Sequence, residues 1–255
     1  MTARPPVFPW TKPWHLEPMV ASHPDWKVLP HGPLEKLEDN LWRVQGTLPG
    51  MSLQRVMTVV RLEDGRLVVH SAIALDEDAV AEVEKWGCPA ILVVPNGYHR
   101  LDARGYKTRY PDMTILCPRS ATRRVAEVVA VDGDLSQFPR QSTVSCDHLD
   151  GTGASEGFLL VRHGDEASLV LNDAVFNMPH QPGVVGWVLK HVTGSTGGPT
   201  ISRLARWLVV KHRGRFGEHL LRLARTPNLK RVIVSHHEVI DEDPAGVLER
   251  LAREL

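Results

Sequence analysis

The sequence predicts a mixed α/β fold in which one sheet packs on another with helices outside. Three observations carry that expectation. Short apolar runs of strand length recur at LVVH (67–70), ILVV (91–94), SLVL (168–171) and RVIV (231–234). Helical patterns such as AVAEVEKW (79–86) stand between them. Asp64-Gly65, the strongest short hairpin signal, splits the apolar runs of 53–71.

The elements follow in order. Residues 1–36 form a separate arm with eight prolines and three tryptophans, Trp10, Trp14 and Trp26. Proline fixes φ and removes a donor, so the arm is expected to be extended. Its tryptophans argue that it packs on the domain or on a partner, which makes a homodimer through the arm an expectation. The remainder, 37–255, reads as one domain. A hairpin ends at His70-Ser71, and a helix over 75–86 carries acids in its first turn and stops at Gly87. The strand Ile91–Val94 ends at Pro95 and opens into a loop holding Asn96, Tyr98, His99, Arg100 and Asp102. MTILCP is a further strand, and SATRRVAEVVA a helix with Ser120 as N-cap. Strands are expected at 143–146, 157–162 and 168–171, the last two joined by His163-Gly164-Asp165. A Gly/Pro-rich loop over 177–198 precedes one or two helices with a junction near Gly214. A last strand ends on His236-His237, and PAGVLERLAREL closes the chain as a helix.

Composition excludes several classes. The 42% hydrophobic and 24% charged fractions are those of an ordinary globular protein. Lys+Arg and Asp+Glu both number 30, so global charge argues for neither nucleic acid nor membrane. No apolar run approaches the roughly 20 residues that span a bilayer, and the N-terminus lacks a signal-peptide core, which favours the cytoplasm. Cys88, Cys117 and Cys146 form neither a disulfide framework nor a metal knuckle. Residues 201–231 carry nine Lys/Arg against Glu218, a pattern read first as a solvated helix face and second as an anion-attracting one.

The candidate chemistry lies at strand ends. His148 precedes Asp150-Gly151, Asp173 follows SLVLN, and His236 and His237 end RVIVS. Each has an ordinary explanation as a turn, capping or core residue. Neutral imidazole and carboxylate are also the ligands Zn and Fe prefer, and a catalytic site needs about three plus an open position. His99, His148, Asp173 and His236 are therefore the metal candidates, with one ion more readily held than two. Only one of His236 and His237 can face the site.

This order of landmarks, with LWRVQGTLPGMSLQRVMTVVRLEDGRLVVHSAI, VVPNGYHRL and LVLNDAVFN, resembles the metallo-β-lactamase superfamily over about residues 37–240. The resemblance implies a four-layer αββα sandwich with the site along the edge where the sheets meet. It also implies metal-assisted hydrolysis with Zn or Fe. It places His148 on the third histidine ligand, Asp173 on the bridging aspartate, His236 on the last histidine and His70 on a supporting position. The opening signature His-x-His-x-Asp-His is replaced by Asn96, Tyr98, Arg100 and Leu101, with His99 and Asp102 beside them.

The resulting expectation is a divergent hydrolase of an ester, thioester, lactone or amide with a mononuclear or altered metal site. Asp173 orients the attacking group, and Tyr98 or Arg100 binds the developing oxyanion. His70, Asn96, Asp102 and His237 support the ligands. The alternative is a catalytically silent member binding a small anionic ligand or a protein, with Arg100 as the anion clamp. The expected partner is a small-molecule substrate.

Overall fold

The computed structural model describes residues 25–255, and the expectation for the arm over 1–24 lies outside the described residues. A seven-stranded sheet runs in the order β1 (Glu35–Glu38), β2 (Leu41–Leu48), β3 (Met51–Arg61), β4 (Arg66–His70), β5 (Cys88–Val93), β6 (Thr114–Cys117), β7 (Gly133–Asp134). It is antiparallel up to β4 and parallel from β4 onward. A four-stranded sheet has β8 (Val144–His148) and β9 (Gly157–His163) antiparallel, then β10 (Glu166–Val170), with β13 (Leu229–Ile233) parallel to β10 at the other edge. A short ladder pairs β11 (Phe176–Met178) with β12 (Gly198–Thr200).

Strands β4, β5, β10 and β13 are largely buried on both faces, which is why they read as apolar runs. Strand side chains alternate, so each run feeds two cores. In β4 and β5, Val68, Ile91 and Val93 face the second sheet and pack with Leu159, Val161, Val170 and Ile233. Leu67, Val69, Leu92 and Val94 face outward under α1 (Glu77–Trp86), α2 (Ala103–Arg109) and α3 (Thr122–Val125), which contribute Val80, Val83, Tyr106 and Val125. In the second sheet Leu169, Leu171, Val232 and Val234 face α5 (Arg203–Leu208), α6 (Arg213–Ala224) and α7 (Pro244–Arg253), through Ala205, Phe216, Leu220 and Leu248. The layers are helices, sheet, sheet, helices: an αββα sandwich.

The Asp64-Gly65 hairpin joins β3 to β4, with Gly65 at φ 84°. Asp76 caps α1 by accepting from the Ala79 N–H at 2.9 Å. Gly87 stops that helix in extended conformation, and a Cβ there would lie 2.4 Å from the Gly65 carbonyl oxygen. The helix after β6 begins as a 3₁₀ turn at Arg119–Ala121, and Ser120 is not its cap, because its hydroxyl donates to the Gly153 carbonyl at 2.6 Å. The 177–198 region is structured: after β11 come α4 (Gly183–Val188) and a π turn at Leu189–Thr193. The pair of helices that follows breaks at 209–212, just before Gly214. The chain joins the sheet before residue 37, since the Thr47 N–H donates to the Pro30 carbonyl and Gly32 N–H to that of Gln45. Trp26 lies on the domain, donating from its indole to the Leu75 carbonyl at 2.9 Å.

Candidate metal centre

The parallel strands β4, β5, β10 and β13 all end at the same edge of the sandwich, and their exits carry Ser71, Asn96 to His99, Asp173 and Ser235 to His237. The register of β10 on β13 pairs Val170 with Ile233. Asp173 and His236 therefore meet: His236 Nε2 is 3.0 Å from Asp173 Oδ1. His99, reaching over from β5, places its Nε2 3.0 Å from the same oxygen.

Proton accounting makes this arrangement specific. His236 Nδ1 is 2.7 Å from the Gln54 carbonyl oxygen, which only accepts, so Nδ1 carries the hydrogen. A neutral His236 then turns a lone pair at Nε2 toward a carboxylate oxygen. Two lone pairs do not face each other at 3.0 Å without a cation between them, either a second proton or a metal ion. Burial opposes the second proton, but the hydrogen bond and charge of Asp173 outweigh it and raise the His236 value. The same histidines outweigh burial at Asp173 and hold its carboxyl well below the usual carboxylate range. The three donor atoms lie within 4.8 Å of one another. A tetrahedral ion with bonds of about 2.0–2.1 Å separates its donors by about 3.3 Å, close to the two 3.0 Å spacings between the imidazoles and Asp173 Oδ1. The backbone carbonyl behind His236 and the Ser71 hydroxyl 2.9 Å from His99 Nδ1 are the outer partners that ligating imidazoles use. The residues fit a single divalent transition metal.

Asn96 organises the loop. Its Oδ1 accepts from the Tyr98 and His99 N–H groups at 2.8 and 3.0 Å, which turns the chain and aims His99. Its Nδ2 donates to Asp173 Oδ2 and to Glu156 Oε1, both at 2.7 Å. Sequence reasoning missed Glu156, a lone acid in an ordinary loop before β9. Burial, followed by the Asp173 charge, pushes its carboxyl well above the usual range. Ser71 was also missed; it sits at φ 58° just past β4, a left-handed backbone that only the residue's neighbourhood to His70 hinted at. Phe176 stacks on His236 at 5.6 Å between ring centroids.

The other expected residues divide. His70 is buried, and burial with the His99 charge drives it down to about 3, so it is a neutral core imidazole. Asp102 is not one of the grouped donors: it pairs with Arg55 Nη1 at 2.6 Å and accepts from the Ala74 N–H. His237 turns off the site at φ 65°, and burial followed by the His236 charge lowers it. Tyr98 stands at the pocket mouth, two-thirds exposed, under the Arg124 guanidinium at 4.5 Å. Arg100 points away and is bound to Glu127 Oε2 at 2.7 Å and to the Arg124 carbonyl, so it clamps no anion in the pocket. His148 is not brought to the donors. Strand β8 lies two strands from β10, and His148 Nε2 accepts from the Arg119 N–H at 3.2 Å.

The donors floor a cavity of about 470 Å³. Its walls are Leu48, Leu53, Phe176, Met178, Leu189 and Leu204, and outside the floor its polar lining comes from Arg55, Tyr98, Thr193, Ser195 and Ser202. It suits a molecule with an apolar body and one reactive polar group.

No protein-family model matches the sequence, and a search of curated proteins finds no match. Solved structures do match. A metallo-β-lactamase from Pontibacter korlensis superposes with a TM-score of 0.58 at 13% identity, covering 87% of this chain and 99% of that one. The DIM-1 metallo-β-lactamase gives 0.58 at 14% identity over 88% of this chain and 99% of its own. The same enzyme exposed to ceftazidime gives 0.59 at 14% identity, over 89% and 99%. Identities this low speak for architecture alone, and with the two-sheet sandwich they establish it: this chain has the metallo-β-lactamase fold.

Proposed function

We propose that this protein is a mononuclear metal-assisted hydrolase whose Zn²⁺ or Fe²⁺ is held by His99, Asp173 and His236, and whose substrate is an ester, thioester, lactone or amide with an apolar body. The observation that carries the reading is His236: its Nδ1 hydrogen is committed to Gln54, and its Nε2 is aimed at Asp173 Oδ1, which His99 also approaches. When bound, the metal supplies Lewis acidity toward a substrate carbonyl. The chain does the rest. Gln54 and Ser71 fix the two imidazoles so that each presents Nε2. Asn96 holds Asp173 Oδ2, leaving Oδ1 for the ion. The leucine, phenylalanine and methionine walls bind the apolar body and exclude water, which strengthens every charge interaction on the floor. The Tyr98 hydroxyl, at the mouth, donates to a substrate oxygen. A panel of p-nitrophenyl acyl esters tests this: hydrolysis that stops on chelation and returns with Zn²⁺ or Fe²⁺ supports it. Hydrolysis indifferent to chelator counts against it.

One observation favours a second reading. In metal-free protein Ser71 Oγ–H can donate to His99 Nδ1 while His99 Nε2–H donates to Asp173 Oδ1, the proton path of a serine nucleophile, with Ser71 on strained backbone. Chelator-resistant hydrolysis together with a fluorophosphonate adduct on Ser71 supports that reading over the first. The silent anion-binding alternative loses its clamp, because Arg100 is engaged by Glu127.

A further inference from the structure

The balanced total charge conceals a local imbalance. Between Ala174 and Gly217 there are six lysines and arginines (190, 203, 206, 211, 213, 215) and no aspartate or glutamate. Arg206 pairs with Glu254; Lys190 and Arg203, the other two cations within 183–208, have no ion pair among the described residues. Lys211, Arg213 and Arg215 follow α5, with Lys211 against the 151–153 turn. The same segment exposes large apolar side chains. Val184 is 81% exposed, Trp187 59% and Trp207 76%, with Val192 and Leu204 at least half exposed. Scattered exposed apolar residues need no explanation, but these are gathered on two elements that touch. Arg203 at the start of α5 donates to the His191 carbonyl at 2.6 Å, joining α5 to the turn that follows α4.

This face is also the rim of the pocket. Leu189, Thr193 and Leu204 line the cavity from one side, and the exposed Tyr98 and Leu101 line it from the other. Charge selects among the surfaces that could cover it. A second copy meeting it face to face would bring the unpaired Lys190 and Arg203 of each copy together, with no aspartate or glutamate within 183–208 to offset them. An anionic phospholipid surface complements the cations, takes the apolar side chains below its headgroups, and places tryptophan where its amphipathic ring is favoured.

We propose that the face built by residues 183–193 and α5 docks on an anionic phospholipid bilayer, with the pocket mouth opening onto it. No helix among the described residues is long and apolar enough to cross a membrane, so the contact is peripheral. The proposal needs neither bound metal nor turnover, so it stands or falls separately from the hydrolase reading.

Flotation of the full-length protein with vesicles tests it. Protein is mixed with vesicles of phosphatidylcholine alone, or of phosphatidylcholine with phosphatidylglycerol, at physiological salt. It should float with the mixed vesicles and stay behind with phosphatidylcholine. The Trp187→Glu/Trp207→Glu variant and the Lys190→Glu/Arg203→Glu variant should each partition about tenfold less or lower. All four positions are exposed, and unchanged thermal melting checks that both variants fold. Failure to float with the mixed vesicles overturns the proposal, as does flotation retained by the Trp187→Glu/Trp207→Glu variant. A dimer in sedimentation velocity that the same variant abolishes also overturns it, by showing that a second copy covers the face.

Discussion

Asp173 and His236 each stand three residues beyond a matched pair, Val170 and Ile233, on parallel neighbouring strands. Parallel register carries both exits to the same height at the same edge, so a carboxylate and an imidazole separated by 63 residues meet at 3.0 Å. His99 completes the group from the other sheet.

Glu156 makes the stability of the metal-free protein depend on pH in a defined direction. Its folded value is raised, chiefly by burial and then by the Asp173 charge. From its ordinary value of 4.5 upward, the native state keeps a proton that the unfolded chain has released, so stability falls as pH rises through that window. Asp173, whose value is lowered, acts below that window: it contributes stability above 3.8 that is lost as pH falls further. Glu156→Gln removes the Glu156 share of that slope, to which His236, with its raised value, adds in the same direction above its ordinary 6.5. Melting curves of the metal-free protein should show the variant gaining on the parent between pH 5 and pH 8, and parallel curves would count against a neutral buried Glu156.

Asn96 uses both amide hydrogens on carboxyl groups and its carbonyl oxygen on two backbone N–H groups. Asn96→Asp replaces the donor with an oxygen facing two oxygens. Urea unfolding should show a loss of about 2–4 kcal/mol near neutral pH. A loss under about 1 kcal/mol would mean that the amide does not bridge the two carboxyls.

Arg55 and Asp102 are buried to about the same degree and meet at 2.6 Å. Removing one partner strands the other charge, so Asp102→Ala should cost about 3–5 kcal/mol, whereas an apolar pair such as Arg55→Met/Asp102→Leu should recover much of that. A double variant no more stable than the single would contradict the ion-pair account.

Much of the architecture was legible because β4, β5, β10 and β13 are largely buried on both faces and so announce themselves as apolar runs. The polar residues at their exits were legible for the same reason, and His99, Asp173 and His236 do converge. Convergence itself was not legible, because it depends on the β10–β13 register and on which strand lies at an edge. His148 shows this: it ends a strand just as Asp173 nearly does, yet β8 lies two strands away. Asp102 and Arg100 were misread because their partners, Arg55 and Glu127, come from 47 residues before and 27 after, and loop polarity carries no sign of them. The 177–198 segment read as loop because glycine and proline dominate its ends, but VVGWVLKHV between them is helical.

Calorimetric titration of metal-free protein with Zn²⁺ tests the central claim most directly. The account predicts one site with about one ion per chain, abolished by His236→Ala and by Asp173→Ala and unchanged by His148→Ala. No binding heat, about two ions per chain, or loss of the site in His148→Ala would contradict it.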